Sequence, residues 1–208
     1  MFVPKEFRVN DLNQIISEIK KNSFGILISN NDDFRMEATH LPFLIKQEEE
    51  KYYLITHLAR ANQQWKSIKD KECLVIFQGP HAYISASWYQ DKNTVSTWNY
   101  TAIHVYGNVT VIHDVDEMRK IVLNTADTYE KGQKNPWQYN EHKDYVEKLL
   151  SGIVCLKIEI TELIGKKKLS QNHSEERRER VIEALQKEDK YQSKEIAELM
   201  REGLMYQE

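Results

Sequence analysis

Cysteine is scarce in this chain of 208 residues, which contains only Cys73 and Cys155. Each lies inside an apolar run, and neither has a second cysteine or a histidine at the spacing of metal ligands. This pattern is typical of buried small side chains. It argues against a disulfide bridge, a zinc site and a catalytic cysteine.

Long apolar runs are also absent. No segment approaches the roughly 20 apolar residues that a membrane-spanning helix needs. The first residues, Met1 to Lys5, lack the basic and then apolar order of a signal peptide. We therefore expect no membrane association and a cytoplasmic location.

The chain has no large excess of charge, because its formal net charge is −3. Such a balance gives no global attraction to nucleic acid, so contact with DNA would need a local basic patch. One basic cluster is present. It consists of Lys166, Lys167, Lys168, Arg177, Arg178 and Arg180. Its usual interpretation is a solvated face that nearby glutamates balance.

Glycine accounts for only seven residues, and no strand is followed by a Gly-x-Gly-x-x-Gly turn. Turns of this kind let backbone N–H groups approach phosphates closely. Their absence argues against a Rossmann dinucleotide site and against a P-loop. A Ser-His-Asp or Cys-His catalytic set cannot be read from residue order, because such groups meet in space rather than in sequence.

The chain does contain many short strands at hairpin spacing. Apolar patterns predict strands over 24–29, 36–45, 52–57, 73–78, 82–85, 101–113 and 153–163, and the first three are expected to form a meander. Apolar residues at three-four spacing predict helices over 12–22, 59–69, 115–131 and 145–150. We therefore predict an α+β fold built on a closed or partly closed antiparallel barrel.

Near Ser174 the composition changes, and the chain becomes strongly charged. We predict one domain over 1–173 and a charged helical C-terminal extension over 174–208. The extension holds two predicted helices that could mimic a helix-turn-helix. However, their connection is longer than the usual tight turn, and the second helix is acidic.

Aromatic residues are concentrated between Phe77 and Tyr100, a stretch that contains two of the four tryptophans. Rings next to Gly-Pro, His, Asn and Ser form a surface that is flat, apolar and locally polar, which suits a planar heteroaromatic ligand. A hairpin with a packed aromatic core is the alternative interpretation.

A second candidate site begins at Thr56, where a predicted strand leads into the predicted helix that contains Arg60 and Lys66. Backbone N–H groups at a helix start favour an anion such as a phosphate, and a guanidinium adds bidentate binding. An ordinary solvated helix start is the alternative. Histidines 40, 57, 81 and 104 lie on or beside strands, but their spacing does not require a metal, and we predict none.

Six motifs in order resemble the PaiB family, whose members are described as FMN-binding negative transcriptional regulators. In spore-forming bacteria the family is linked to repression of sporulation and of degradative enzyme synthesis. The resemblance runs from Met1 to about Leu185. The motifs are Glu37–Pro42, His57–Asn62, Phe77–Tyr83, Ser87–Tyr89, Thr97–Tyr100 and Lys168–Asn172.

The resemblance implies an antiparallel split β-barrel with flanking helices, similar to the pyridoxamine-phosphate-oxidase and flavin-reductase folds. It also implies a homodimer that binds FMN in the groove between its subunits. Arg60 and Lys66 would hold the phosphate. The remaining implied cofactor residues are His40, Thr56, His57, Asn62 and His81, with Trp98, Asn99, Tyr100, Lys168 and Gln171 reaching in from the partner subunit.

One departure from the family pattern is Lys167, which stands where an aromatic residue is expected. Aromatic side chains stack on planar ligands. FMN affinity is therefore the property that this departure affects.

Two functions remain open at this stage. In the first, the chain is a regulator that acts with or without FMN, on DNA directly or through a regulatory protein, although the sequence supplies no element for DNA recognition. In the second, it is an FMN-dependent oxidoreductase or a haem-handling enzyme, in which the cofactor would carry the redox chemistry. His81 or Tyr83 would then be the proton donor.

Overall fold

The fold is described by a computed structural model over residues 1–205. Two short 3-10 turns, Lys5–Phe7 and Ala86–Tyr89, accompany the strands and helices. The elements are β1 (Arg8–Val9), α1 (Leu12–Lys21), β2 (Phe24–Asn30), β3 (Met36–Pro42), β4 (Leu44–Glu48), β5 (Lys51–Ala59), α2 (Gln64–Ser67), β6 (Glu72–Ile84), β7 (Thr97–Ile112), α3 (Val115–Glu130), α4 (Tyr139–Leu150), β8 (Ile153–Lys168), α5 (Glu175–Lys187) and α6 (Ser193–Met205).

The strands form one antiparallel sheet in the order β3-β2-β6-β7-β8-β5-β4, and β1 pairs with β8. The prediction of an antiparallel α+β fold is confirmed. The predicted meander is wrong, because β3 and β4 lie at opposite ends of this order. Pro42 has no N–H to continue a ladder, and Phe43, which is buried, instead donates its N–H to Ser23 O.

Two compact units make up the chain. The first unit comprises Met1–Glu18, Gln78–Ile103 and the chain from Ile164 onward, and the second comprises Ile19–Phe77 and His104–Leu163. The long strands β6, β7 and β8 contribute residues to both.

The core of the first unit joins the 3-10 turn, the end of β6 and both C-terminal helices. Its largest buried side chain is Tyr89, which packs with Ile84 and with apolar residues of α5 and α6, among them Leu185 and Ile196. Helices α5 and α6 therefore share a core with earlier parts of the chain. The domain boundary predicted at residue 174 stays a prediction.

One core cluster of the second unit lies on β5, β7, β8 and α3. Its buried members are Ile55, Ile112, Met118, Ile121 and Cys155. Both cysteines are free and buried, as the sequence predicts. Burial raises the pKa of each thiol to about 12, so neither is a thiolate at neutral pH.

Helix starts agree with the sequence where a cap is present. Asp11 accepts from Asn13 N beside α1 (2.9 Å), and Asp114 accepts from Glu117 N at the start of α3 (2.8 Å). The helix predicted over 59–69 is wrong, because β5 continues to Ala59 and α2 has only four residues. Asn62 explains this difference: its side chain accepts from Gln64 N (3.0 Å) and so competes with a helical backbone.

Strand β8 runs past Gly165, where the sequence predicts its end. A Cβ at Gly165 would lie 2.9 Å from Val9 Cβ, a distance that side-chain carbons do not tolerate. This glycine therefore allows β1 and α1 to pack closely on β8. Likewise β6 is one strand where two are predicted, and α4 begins six residues earlier than expected, at Tyr139.

No helix among residues 1–205 is long and apolar enough to cross a membrane.

Candidate cofactor site

The twelve residues predicted to bind the cofactor divide equally between the two units. His40, Thr56, His57, Arg60, Asn62 and Lys66 belong to the second unit, and His81, Trp98, Asn99, Tyr100, Lys168 and Gln171 belong to the first.

Arg60 follows β5 and contacts the turn that precedes β8. Its Nε donates to Ser151 O (2.7 Å) and its Nη2 donates to Ile153 O (2.8 Å). A guanidinium carries five N–H donors, and Nη1 of Arg60 makes no hydrogen bond within the described chain. Arg60 is therefore held in place while part of its guanidinium stays available to an anion.

Lys66 lies on α2 and is exposed. Its ammonium is 5.5 Å from the centre of the Trp65 ring and forms no ion pair within residues 1–205. Because α2 has only four residues, a helix start contributes little to anion binding here. The predicted phosphate site of the second unit therefore depends on the side chains of Arg60 and Lys66.

A buried amide network supports this segment. Gln64, which is almost fully buried, accepts from Thr39 Oγ1 (2.6 Å) and donates to Ser29 Oγ (2.9 Å). Asn62 donates to the same Thr39 oxygen (2.9 Å). Asn62 and Gln64 therefore hold the segment between β5 and α2 against β2 and β3. The burial of Gln64 is not predicted from the sequence, because nothing in its neighbourhood distinguishes it from a surface glutamine.

The histidines of the second unit differ in exposure. His40 is exposed and stacks on Phe24, with ring centres 6.2 Å apart. His57 is half-buried, and its Nδ1 lies in the interior without a hydrogen-bond partner in the described chain. Burial lowers the pKa of His57, so its imidazole is neutral at pH 7. Thr56 is buried and donates to Pro42 O (2.6 Å).

An aromatic cluster dominates the first unit. Trp98 is 41% exposed and contacts Tyr83 and Tyr191 edge to face, with ring centres 5.7 and 4.9 Å apart. The ring of His81 lies 6.2 Å from that of Trp98, and its backbone N–H and C=O both bond to Gln192. The place of Tyr191 in this cluster is not predicted from the sequence, because Tyr191 lies in the segment interpreted as a separate extension.

Asn99 is fully buried, unlike its neighbour Trp98. Its Nδ2 donates to Ser170 Oγ (3.0 Å) and to Met200 Sδ (3.4 Å), and its Oδ1 accepts from Ser170 Oγ (3.3 Å). Ser170 also bonds to the hydroxyl of Tyr89 (3.1 Å) and has a left-handed backbone, with φ 63°. Through these hydrogen bonds, the amide of Asn99 connects β7 to the segment that follows β8.

Lys168 and Gln171 are also engaged within the protein. Lys168 Nζ donates to Thr97 Oγ1 and to Trp98 O, each at 2.7 Å. Gln171 accepts from Leu169 N (2.7 Å) and donates to Lys167 O (2.6 Å). Burial, and then the charge of Lys166, lower the pKa of Lys168. Direct contact of these two residues with a cofactor stays a prediction.

Five members of the basic cluster, namely Lys166, Lys167, Lys168, Arg177 and Arg180, have partners within the first unit. Lys166 donates to Phe2 O (3.2 Å) and lies over the ring of Tyr100, while Lys167 pairs with Glu18 (2.8 Å). Arg177 pairs with Asp91, and Arg180 donates to Tyr89 O (2.8 Å). Arg178 is buried. The cluster is therefore a set of internal contacts and not the solvated face that the sequence suggests.

Each unit, taken by itself, offers groups of the kinds that an FMN needs, which are phosphate donors, polar partners and a flat apolar contact. The second unit offers Nη1 of Arg60, the ammonium of Lys66 and the buried Nδ1 of His57. The first unit offers the exposed indole of Trp98. Within residues 1–205 no cluster of His, Cys, Asp or Glu is placed to hold a metal ion.

Comparison with known proteins agrees with this chemistry. Residues 1–162 match the family described as "Putative FMN-binding domain". Over its full length the chain is 39% identical to the Protease synthase and sporulation protein PAI 2 of Bacillus subtilis, and the alignment also covers all of that protein.

Two solved structures share the fold at low sequence identity. The flavocytochrome Anf3 of Azotobacter vinelandii matches with a TM-score of 0.55 and 13% identity, covering 77% of this chain and 69% of that one. The FAD and haem binding protein of Mycobacterium smegmatis matches with a TM-score of 0.55 and 12% identity, covering 77% and 73%. The predicted split-barrel fold is thereby confirmed.

Proposed function

Because this chain belongs to the PaiB family of FMN-binding proteins, we propose that it is a cytoplasmic FMN-binding regulator that represses sporulation and degradative enzyme synthesis. The observation that carries this proposal is the full-length similarity to the Bacillus subtilis protein named for protease synthesis and sporulation. Both chains align from end to end, so the similarity includes α5 and α6 as well as the FMN-binding domain.

FMN is the cofactor of the domain, and the residues with unused polar atoms are the ones proposed to hold it. Arg60 and Lys66 would bind the phosphate, because a guanidinium and an ammonium both form charge-assisted hydrogen bonds with phosphate oxygens. His57, held neutral by burial, would donate or accept one hydrogen bond. From the partner subunit of the proposed dimer, the indole of Trp98 would cover part of the flavin. When bound, FMN supplies hydride or single-electron transfer.

For the mode of regulation we favour a protein partner over direct DNA contact. Non-specific affinity for DNA comes from cations that neutralise phosphates, and the cations of the basic cluster already have internal partners. In addition, α5 and α6 are packed into a core with Tyr89 and Leu169, so neither is a detached recognition helix.

A homodimer is supported by an apolar sheet face in the second unit. Phe24 and Met36 are 64% and 69% exposed, and along β2 the residues on the face of Phe24 alternate with buried ones. The register places Ile26 beside Ile76 and Ile28 beside Leu74, so this apolar face continues onto β6, where strand alternation puts the exposed Glu72 at its end. A mostly apolar face of this kind suits association with a second copy of itself.

The dimer is tested by sedimentation of charged variants. Phe24→Glu combined with Met36→Glu should give monomers at concentrations where the unchanged protein is dimeric, because each glutamate would be desolvated in the interface. Phe34→Glu is the matched control, since Phe34 is exposed in the turn and lies outside both strands. A double variant that sediments as the unchanged protein would disprove the assignment of this face.

The regulator proposal is tested by complementation in a Bacillus subtilis strain that lacks its own relative of this chain. Expression should restore normal spore counts and extracellular protease activity. The variant Arg60→Gln combined with Lys66→Gln should fail if FMN is needed, at equal protein level. Failure of the unchanged chain to restore either property would overturn the proposal. A promoter fragment bound in a salt-dependent manner would overturn the preference for a protein partner.

The alternative of an FMN-dependent oxidoreductase or haem-handling enzyme has no observation in its favour beyond the shared fold.

A further inference from the structure

The side chain of Trp98 is held less firmly than its backbone. Trp98 O accepts from Lys168 Nζ at 2.7 Å, and the next residue, Asn99, is fully buried. The indole itself is 41% exposed and makes no hydrogen bond within residues 1–205. Exposed side chains change rotamer within picoseconds to nanoseconds unless they are packed. The orientation of this indole therefore depends on the rings that contact it.

Two tyrosines contact the indole edge to face. Tyr83 lies on β6, and Tyr191 lies in the short segment between α5 and α6. Their rings make angles of 70° and 74° with the indole. The contact with Tyr191 is the closer of the two, since its ring centre is 4.9 Å from that of Trp98 and the centre of Tyr83 is 5.7 Å away. Edge-to-face pairs stabilise aromatic side chains beyond the area that they bury, so Tyr191 is the nearer support of the indole.

The backbone beside Tyr191 is fixed to both β6 and α6. Gln192 N donates to His81 O (3.2 Å), and the side-chain Oε1 of Gln192 accepts from His81 N (3.3 Å). The carbonyl of Gln192 accepts from Ile196 N (3.0 Å). Tyr191 itself has φ 57°, a left-handed conformation that is uncommon for an aromatic residue and persists only where the surrounding structure enforces it. Tyr191 is therefore held against Trp98, although 59% of it is exposed.

We propose that Tyr191 is a positioning residue for the flavin contact, an inference that rests on the proposed function of Trp98. Tyr191 holds the indole in the orientation that covers the flavin, so less side-chain freedom is lost when FMN binds. Tyr191 lies beyond residues 1–162, which match the FMN-binding family. The segment between α5 and α6 therefore belongs to the cofactor site of the first unit, and these two helices are the elements that place it.

The first experiment observes the indole of Trp98 in the full-length, FMN-free protein by NMR. In protein labelled with ¹⁵N, the indole N–H signal that disappears in Trp98→Phe belongs to Trp98. Its heteronuclear NOE should fall in Tyr191→Ala, because the ring becomes mobile, and should be restored in Tyr191→Phe, which keeps an aromatic ring. The signals of Trp65, Trp88 and Trp137 are the internal controls. An indole that stays as rigid in Tyr191→Ala as in the unchanged protein would overturn the proposal.

The second experiment measures flavin affinity by fluorescence titration. Tyr191→Ala should weaken the binding of FMN and of riboflavin alike, by about fivefold, because the change concerns the ring and not the phosphate. Tyr191→Phe should bind both flavins as the unchanged protein does, since the hydroxyl of Tyr191 has no hydrogen-bond partner within residues 1–205. Tyr145→Ala, which removes an exposed tyrosine of α4 in the second unit, is the control. Equal losses in Tyr191→Phe and Tyr191→Ala would contradict the role of the ring.

A double-mutant cycle separates positioning from direct contact with the flavin. If Tyr191 acts through Trp98, Tyr191→Ala should cause no further loss of riboflavin affinity in a protein that already carries Trp98→Ala. A further loss of about fivefold in that background would mean that Tyr191 contacts the flavin itself, and would overturn the positioning role. Because Tyr191 is 59% exposed, Tyr191→Ala should fold, and urea unfolding of the FMN-free variant verifies this.

Failure of the proposed function would be visible separately. If neither FMN nor riboflavin binds the unchanged protein, the assignment of the cofactor contacts is wrong, whereas the indole signal of the FMN-free protein still decides whether Tyr191 holds Trp98. If both flavins bind, and the indole becomes mobile in Tyr191→Ala without a loss of affinity, then the support of Trp98 does not serve the cofactor and the proposal is overturned.

Discussion

The predicted cofactor residues of the two units differ in what their polar atoms already do. In the second unit, Lys66 and His57 retain polar atoms without partners in the described chain, and Arg60 retains Nη1. In the first unit, the polar atoms of Asn99, Lys168 and Gln171 are already hydrogen-bonded within the fold. Asn99 bonds to Ser170, Lys168 bonds to Thr97, and Gln171 bonds to the carbonyl of Lys167.

This difference teaches that one family pattern contains two kinds of residue. A side chain whose hydrogen bonds are complete within the fold contributes mainly stability, because breaking a buried bond leaves a partner unsatisfied. A side chain with unused donors costs little to replace in the folded protein, and its loss appears in ligand affinity. Replacing members of each kind should therefore give different losses of stability and of ligand affinity.

The largest effect is expected for Asn99→Ala. Asn99 is fully buried and bonds to Ser170 and Met200, so its removal leaves buried polar atoms unsatisfied and should lower the free energy of unfolding by about 2 to 3 kcal/mol. Denaturant unfolding of the FMN-free protein measures the change. Asn108→Ala, exposed on the same strand, is the control. A loss comparable to that of the control would show that Asn99 is not structural.

Trp98→Ala should have a smaller effect on stability and a clear effect on the ligand. Full burial would make its loss cost about 3 to 5 kcal/mol, but Trp98 is 41% exposed, so we expect about 1 to 2 kcal/mol. Affinity for FMN and for riboflavin should fall about tenfold alike, because an indole contacts the ring and not the phosphate. Fluorescence titration of both flavins measures this, with Trp137→Ala as control. Unchanged affinity for both would exclude Trp98 from the site.

Lys66→Gln should distinguish binding of the FMN phosphate from binding of the flavin ring. We expect FMN affinity to fall about fivefold at low salt, with riboflavin affinity and the unfolding free energy unchanged, because Lys66 is exposed and its ammonium forms no ion pair within residues 1–205. The same pair of titrations measures it, and Lys69→Gln, exposed beyond the end of α2, is the control. Equal loss for riboflavin would place Lys66 away from the phosphate.

Much of the fold could be predicted from local pattern. Apolar alternation located the strands, and apolar residues at three-four spacing located α1 and α3. Strand pairing could not be predicted in the same way, because the alternation of apolar residues does not determine which strands are neighbours in the sheet. The break between β3 and β4 at Phe43 is evident only from the burial of that residue in the structure. The helix α2 is short because the side chain of Asn62 competes with the helical backbone for hydrogen bonds. Helix propensities of single residues do not include this competition.

The candidate site was predicted at the level of residue type only. The partner of Asn99 is Ser170, and the partner of Lys168 is the carbonyl of Trp98, each about seventy positions away in sequence. Contacts between residues this far apart cannot be predicted from the spacing of residues along the chain. A motif therefore identifies which residues belong to the site region, whereas burial and hydrogen bonding decide which of them remain available to a ligand.

The smallest effect concerns pH. Burial lowers the pKa of His57, and burial is also the first cause of the lowered pKa values of His104 and His173. Below the ordinary histidine value of about 6.5 the unfolded chain takes up these protons before the folded one does. Stability should therefore be full above that pH and fall as the pH decreases below it.

His57→Gln should reduce this pH dependence, since it removes one of the three contributions. Urea unfolding from about pH 5 to about pH 8 measures the slope of the unfolding free energy, and His113→Gln, exposed after the end of β7, serves as control. An unchanged slope would mean that burial of His57 does not contribute to the pH dependence of the unfolding free energy. If FMN binds at the buried Nδ1, saturating FMN should also alter the slope in the unchanged protein and not in His57→Gln, which would place His57 with the ligand-contacting group.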